Sequence, residues 1–418
     1  MRRLLNIDFY TFYLVLFSLP FGRKVFIPIL LFWILLVLIS YFSNRDYSAD
    51  RFKGLLILPI AFYLILTVRE VVSSSLEIII SDLQLKLTLL LIPLLYPYHR
   101  KNYQNSNNAF LWSFVAGCAT ASVYYIGYAI FRSYTLLNGI WVFNPIPPYG
   151  WDNYFLSTTF SYLIHPSYLA LYLLVAILFI GVKLKLWWEK TITTRILVIL
   201  SIIAIITSLI MLQSRAGIIG FGLLALIWLF YIVFIKRNYK AGIGILLVFF
   251  SLSTIILTKI DRYSDTLKSL VKFTDSGVNN QTKLDGTIVR LWIWEASINV
   301  IKEHPVLGVG TSNTRQELQA QYEMLGMDKA AEVRLNAHNQ YLESWISIGI
   351  IGFLALLAML FVPLWAGIRN RNWLLAGFIC LCSVSFFFES MLETIAGVTF
   401  FALFYTMLVT TNKPIAKA

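Results

Sequence analysis

The sequence predicts an all-α, polytopic membrane protein, and three observations predict it. Hydrophobic residues make up 58% of the 418 residues and charged residues 13%, with a mean hydropathy of +0.73, more apolar material than a soluble core of this size uses. Apolar runs of about 20 residues, the length that crosses a bilayer, recur along the chain. The short connections between them alternate between rich and poor in Lys and Arg, as spanning helices of fixed orientation require.

Taken in order, the apolar runs give about twelve helices, over 6–21, 24–42, 54–72, 76–97, 109–131, 160–182, 195–213, 216–235, 241–258, 342–366, 373–389 and 394–411. The first is short, and the fourth carries Asp82 and Lys86. No small-residue cleavage site follows the first run, which reads as a retained helix. One set of short connections holds Arg45, Arg51, Lys53, Arg100, Lys101, Lys183, Lys185, Lys190, Arg195, Lys236, Arg237, Lys240, Arg369 and Arg371. The other set holds Arg23, Lys24, Arg132 and Arg215. This asymmetry predicts that both termini are cytoplasmic.

The formal charge of +13 is thereby mainly a topology signal, and a nucleic-acid partner is not expected. Cys118, Cys380 and Cys382 fall in apolar segments without metal-ligand spacing, which argues against a disulfide framework or a zinc site. The chain divides into helices one to nine over 1–258, a large exported loop over 259–341, and helices ten to twelve with a cytoplasmic tail over 342–418. A second exported loop, 132–159, carries Trp141, Tyr149, Trp151 and Tyr154 with Pro145, Pro147 and Pro148. It reads either as an interfacial aromatic belt or as a surface that stacks on sugar rings.

Five stretches carry residues suited to chemistry. Gln213-Ser214-Arg215-Ala216-Gly217 joins two apolar runs with almost no loop, so Arg215 either snorkels or meets an anion, and its donor fork suits phosphate. Arg290 lies in a stretch that is apolar nearly all round, with Glu295 at a poor helical spacing for pairing. His338, in Asn336-Ala337-His338-Asn339-Gln340-Tyr341, stands where an exported polar run meets an apolar helix. An imidazole there is either a structural donor or a base for an attacking hydroxyl. His165 precedes Pro166 at a helix head and either satisfies the backbone that proline frees or touches substrate. Glu389 and Glu393 flank the last exported turn and can orient a base, hold an arginine or bind acceptor hydroxyls. No P-loop, His-Glu-x-x-His zinc motif or exported Asp-x-Asp pair is present.

The twelve-helix plan with its large outer loop after the ninth helix, the Ser214-Arg215-Ala216-Gly217 turn, the Arg290 to Trp294 stretch leading to His304-Pro305-Val306-Leu307-Gly308-Val309-Gly310, and Ala337-His338-Asn339-Gln340-Tyr341 with Gly349-Ile350-Ile351-Gly352-Phe353 resemble the bacterial O-antigen ligase and polymerase superfamily, O-antigen ligases foremost. The resemblance covers essentially the whole chain, while its sharp motifs occupy the second half. It implies a GT-C-like, all-α membrane glycosyltransferase in the bacterial inner membrane, with a large periplasmic helical loop and a periplasmic active site. Such an enzyme takes a glycan from undecaprenyl diphosphate and passes it to a lipid A core acceptor, with inversion and without metal or other cofactor. Carried onto this sequence, the resemblance makes Arg215 and Arg290 the diphosphate ligands and His338 the base or the group that positions the acceptor. His165, Asn339, Glu389 and Glu393 are weaker candidates for binding or orienting substrate. An O-antigen polymerase is the nearest alternative. A glycan transporter or flippase, supported by Arg69, Asp82 and Lys86 within the membrane, is a more distant one.

Overall fold

The computed structural model describes residues 7–43, 54–73, 82–96, 103, 105–146, 153–230 and 286–410, with a few positions between 232 and 244. It is an all-α bundle carrying one small hairpin. The helices are α1 (Ile7–Ser18), α2 (Arg23–Ser43), α3 (Ile57–Ser73), α4 (Thr88–Leu95), α5 (Asn107–Ser133), α6 (Pro166–Trp188), α7 (Ile192–Leu212) and α8 (Arg215–Phe230). Then come α9 (Gly286–Glu303), α10 (Thr311–Met324), α11 (Asp328–Val333), α12 (Gln340–Arg369), α13 (Trp373–Phe388) and α14 (Ile395–Thr410).

Among the described residues, six helices are long and apolar enough to span a membrane: Arg23–Phe42, Gly54–Val72, Asn107–Ser133, Pro166–Trp188, Ile192–Leu212 and Gln340–Arg369. Four shorter apolar helices, Ile7–Phe21, Arg215–Phe230, Trp373–Phe388 and Ile395–Thr410, pack among them. The expected ninth helix, 241–258, lies almost wholly outside the described residues. The expected fourth is described from Asp82 onward, where helical residues 82–86 are broken by a turn at Leu87 before Thr88–Leu95. Its charged head faces polar partners inside the protein, so it does not need the length of a lipid-facing span.

Local chemistry sets where helices begin. Pro166 is the first residue of α6, where its missing N–H costs nothing, and Nδ1 of His165 accepts from the Ser167 N–H. The expected start at 160 therefore moves to 166. Thr191 caps α7, Asn339 caps α12 and Asn372 caps α13, each through its side-chain oxygen. Helix α14 is apolar all round, and its residues Gly397 to Val409 are buried, which places it at the centre of the bundle. Tyr172 of α6 stacks on Phe400 of α14 with ring centroids 4.2 Å apart.

The aromatic loop begins as a hairpin. Strands Tyr134–Leu137 and Ile140–Phe143 pair antiparallel, with Tyr134 opposite Phe143. Asn138 and Gly139, both at positive φ, form the two-residue turn that matches strand twist. Trp141 is exposed, whereas Tyr154 is buried under the Arg132 guanidinium, 4.3 Å from its ring centroid. Pro147, Pro148, Tyr149 and Trp151 lie outside the described residues.

Helices α9, α10 and α11 form a platform with a core of its own, including Ile293, Val300, Leu318 and Tyr322. It is fastened to the bundle through a kink in α12. Gly349 there has φ 69° and ψ −164°, which interrupts the helical ladder and leaves backbone groups of the adjoining turns without helical partners. The turn 304–310 supplies replacements. Val309 N–H donates to the Ile346 carbonyl at 2.8 Å, Gly310 N–H to that of Ser347 at 2.9 Å, and Ile350 N–H to that of Pro305 at 3.1 Å. A Cβ on Gly349 would run into the Val306 carbonyl, and one on Gly308 into that of Ile346. The two glycine-bearing motifs of the sequence are thus the two halves of one backbone joint.

Arg69 and Glu70, at the end of α3, close the joint from the other side. Arg69 donates to the carbonyls of Leu307 at 2.8 Å and Gly308 at 2.9 Å. The Glu70 carboxylate accepts from the Thr311 N–H and from the hydroxyls of Thr311 and Ser312, which caps the N-terminus of α10. Asp82 also accepts from Thr311, and Lys86 pairs with Glu393 at 2.7 Å. Arg69, Glu70, Asp82 and Lys86 thus all serve to fasten elements together.

Candidate functional site

The joint fixes where the platform and the heads of α6, α8 and α12 meet, and the candidate residues gather there. Between α11 and α12 the chain runs through Asn336–Asn339. Oδ1 of Asn336 accepts from the His338 N–H at 3.1 Å, and His338 itself takes the left-handed conformation, φ 45°. A histidine held in that sparsely populated region marks a loop whose shape is imposed by its neighbours. The imidazole is half-buried, and its Nδ1 lies 2.8 Å from Oε1 of Glu389, the residue that ends α13.

Glu389 is 5% exposed and is the centre of the polar network. Its other oxygen, Oε2, lies 3.4 Å from an Arg290 guanidinium nitrogen and 3.4 Å from the Ser167 hydroxyl. Burial alone would raise its pKa. The hydrogen bond and charge of His338, with the charges of His165 and Arg290, outweigh burial and hold the carboxyl below its ordinary value. An ionised Glu389 accepts, so the neutral imidazole carries its proton on Nδ1 and presents Nε2 as the basic nitrogen.

Arg215 comes to the same place by a different local rule. Gln213 ends α7 in the left-handed conformation, φ 45°, and the Ser214 hydroxyl accepts from the Gly217 N–H at 3.2 Å to open α8. The Gln213-Ser214 pair thus reverses the chain without a loop and sets Arg215 on the first turn of the new helix. Arg290 sits in the first half of α9.

These residues line one cavity of about 270 Å³, whose walls include Ser157, Thr158, His165, Ser167, Gln213, Ser214, Arg215, Arg290 and His338. The N-termini of α6 and α8 both border it, adding the positive ends of two helix dipoles to two guanidinium groups. The arrangement suits an anion with several oxygens, next to a group able to accept a proton.

Of the sequence candidates, Arg215, Arg290, His165 and His338 border the cavity, and Glu389 stands directly behind His338. Asn339 and Glu393 are not brought to it. Oδ1 of Asn339 accepts from the N–H groups of Tyr341 and Leu342, which uses it as a helix cap. Glu393 is taken by Lys86 and by Gln340. The carboxylate beside Arg290 is Glu389, 99 residues on, and not Glu295, which is exposed. The sequence alone does not single out Ser157, Thr158, Ser167 and Gln213, which also line the cavity. For the last two a local signal existed, since each flanks a chemistry-bearing residue at a helix head.

The fold and this site define a multi-pass α-helical membrane protein with a cationic, histidine-bearing cavity at one end of its bundle. Residues 199–357, less than half of the chain, match the family described as O-antigen ligase. The matched segment contains Arg215, Arg290 and His338. An uncharacterized protein of Haemophilus influenzae is 30% identical over 181 residues, 41% of this chain. The match spans 43% of that relative's own length.

Proposed function

We propose that the chain is a membrane glycosyltransferase of the O-antigen ligase type. It transfers O-antigen or a related polysaccharide from undecaprenyl diphosphate to a lipid A core acceptor, at the periplasmic face of the bacterial inner membrane. Residues 1–258 and 342–418 form the membrane part with both termini cytoplasmic, and 259–341 form the periplasmic platform. One observation carries the reading: Arg215, Arg290 and His338 border a single cavity, with His338 held through Nδ1 by Glu389.

The chemistry follows from that geometry. Nε2 of His338 takes the proton of the acceptor hydroxyl as its oxygen attacks the anomeric carbon from the face opposite the diphosphate. The carbon–oxygen bond to the diphosphate breaks, its electron pair leaves with the undecaprenyl diphosphate, and the anomeric centre inverts. Negative charge grows on the leaving group as this happens, so arginines placed there stabilise the transition state more than the bound donor. The ionised Glu389 stabilises the imidazolium until its proton is released. The donor arrives activated, and the reading requires neither metal nor cofactor.

The test is transfer from a defined undecaprenyl diphosphate glycan to lipid A core by the purified full chain in detergent, with and without chelator. Transfer that survives chelation and is abolished by His338→Ala is expected. A His338→Ala protein that transfers at the normal rate would remove the imidazole from the chemistry. An O-antigen polymerase shares the donor and the same anion site, and a deletion strain separates the two. Unligated long chains on the carrier mean that a ligase has been lost, while a core bearing a single repeat means a lost polymerase. The features that favoured a transporter, Arg69, Asp82 and Lys86, are engaged in holding the platform and the last turn.

A further inference from the structure

A buried carboxylate beside the site takes no part in the scheme above. Glu343, on the first turns of α12, is 4% exposed and borders no part of the cavity. Its Oε2 accepts from the Ala337 N–H at 2.9 Å and from the Ser390 hydroxyl at 3.3 Å. The same Ser390 oxygen accepts from the Asn339 N–H at 3.2 Å. Ala337 and Asn339 are the two neighbours of His338, and Ser390 is the neighbour of Glu389. Glu343 therefore grips the base loop on one side directly, grips it on the other through a hydroxyl, and by that hydroxyl ties it to the turn that carries the orienting carboxylate.

We propose that Glu343 is a positioning residue for the transfer reaction, setting the register between the His338 loop and the Glu389–Ser390 turn. The proposal rests on His338 serving as the base. Helix capping alone does not explain a carboxylate at this position, since the Asn339 side chain already caps α12. Packing alone does not explain it either, because a buried carboxylate is costly and persists where its hydrogen bonds are used. What those bonds accomplish is a fixed distance between two residues that no contiguous element holds together. His338 in its left-handed conformation has no regular backbone ladder to keep it there, and general-base geometry tolerates little displacement.

The experiment compares Glu343→Gln and Ser390→Ala with Glu389→Gln and His338→Ala in the full chain. Transfer rates are measured across pH, with donor KM and the thermal unfolding midpoint. Glu343→Gln preserves shape and one acceptor. It is expected to lower kcat by about 10- to 100-fold, to leave donor KM within about 3-fold, and to displace the pH–rate profile in the same direction as Glu389→Gln does. Ser390→Ala, which cuts only the second half of the tie, is expected to move the profile the same way by less. A purely structural residue would lower the amount of folded enzyme without moving the profile of what remains. An unmoved profile in both variants, with His338→Ala inactive, overturns this proposal alone. A fully active His338→Ala overturns it together with the transferase reading.

Discussion

His338 and Glu389 are joined at 2.8 Å, Nδ1 to Oε1, across 51 residues of chain. The contact decides which imidazole nitrogen can act, because a buried carboxylate held in its charged form fixes the proton on Nδ1 and leaves Nε2 basic. Replacing Glu389 with Gln keeps the volume and removes the charge. The amide can present its NH₂ to Nδ1 and favour the wrong tautomer, and the charge that steadies the imidazolium is lost. Transfer by Glu389→Gln is expected to fall by about 10²- to 10⁴-fold in kcat, measured with saturating donor and acceptor in detergent. A decrease under 3-fold would show that the pair is structural.

The two arginines answer to a different measurement. A guanidinium offers a planar fork to phosphate oxygens, and an ammonium offers a point charge. Arg215→Lys and Arg290→Lys are each expected to weaken donor use by about 10-fold or more, in line with the loss of a charge-assisted hydrogen bond. Arg290→Lys should cost more in kcat than Arg215→Lys, because Arg290 also touches Glu389. Equal kinetics for wild type and both variants would separate the cavity from the diphosphate.

How much of this was legible beforehand depends on the range over which each feature is determined. The helices follow from apolar runs and short caps, both local, and the chain displayed them. Arg215, Arg290 and His338 stood out for the same reason: each is a polar group where local sequence predicts membrane or its edge. Their partners were invisible. Nothing near Arg290 in sequence points to Glu389, and Lys86 gives no sign that Glu393 will cover it, because such pairings are made by the packing of distant helices. In the sequence the two glycine motifs are signatures and nothing more. Only the fold reveals that Gly308 and Gly349 are small so that two stretches of backbone can touch.

Acid should probe Glu389 in a defined direction. The folded protein holds its pKa below the ordinary value, so the ionised carboxylate favours the folded state above the unfolded pKa of about 4.3. That contribution is lost as pH falls through the depressed value. The stability advantage of wild type over Glu389→Gln is therefore expected not to diminish from neutral pH down to about 4.3 and to shrink below it. Thermal unfolding midpoints of both proteins in one detergent, taken stepwise with pH, measure this. A difference that shrinks already between pH of about 7 and 5 would mean the carboxyl is not held down.

The joint between platform and bundle predicts a sharp contrast between glycines. Gly349→Ala places a methyl group at φ 69°, against the Val306 carbonyl. That backbone conformation, with ψ −164°, is essentially confined to glycine and alone costs about 1–3 kcal/mol for alanine, and separating the docked turn sacrifices further hydrogen bonds of about 1 kcal/mol each. Gly127→Ala, in α5, meets nothing within 4 Å and should be neutral or stabilising by up to about 1 kcal/mol. Arg69→Ala removes the donors to Leu307 and Gly308 while leaving the kink intact, and is expected to fall between the two. Because the joint holds the platform, Gly349→Ala and Arg69→Ala should also expose the 304–310 turn to proteolysis in detergent, while Gly127→Ala leaves it protected. A Gly349→Ala protein as stable and as resistant as wild type would mean that the kink and the turn are not coupled, and that the platform is held by other contacts.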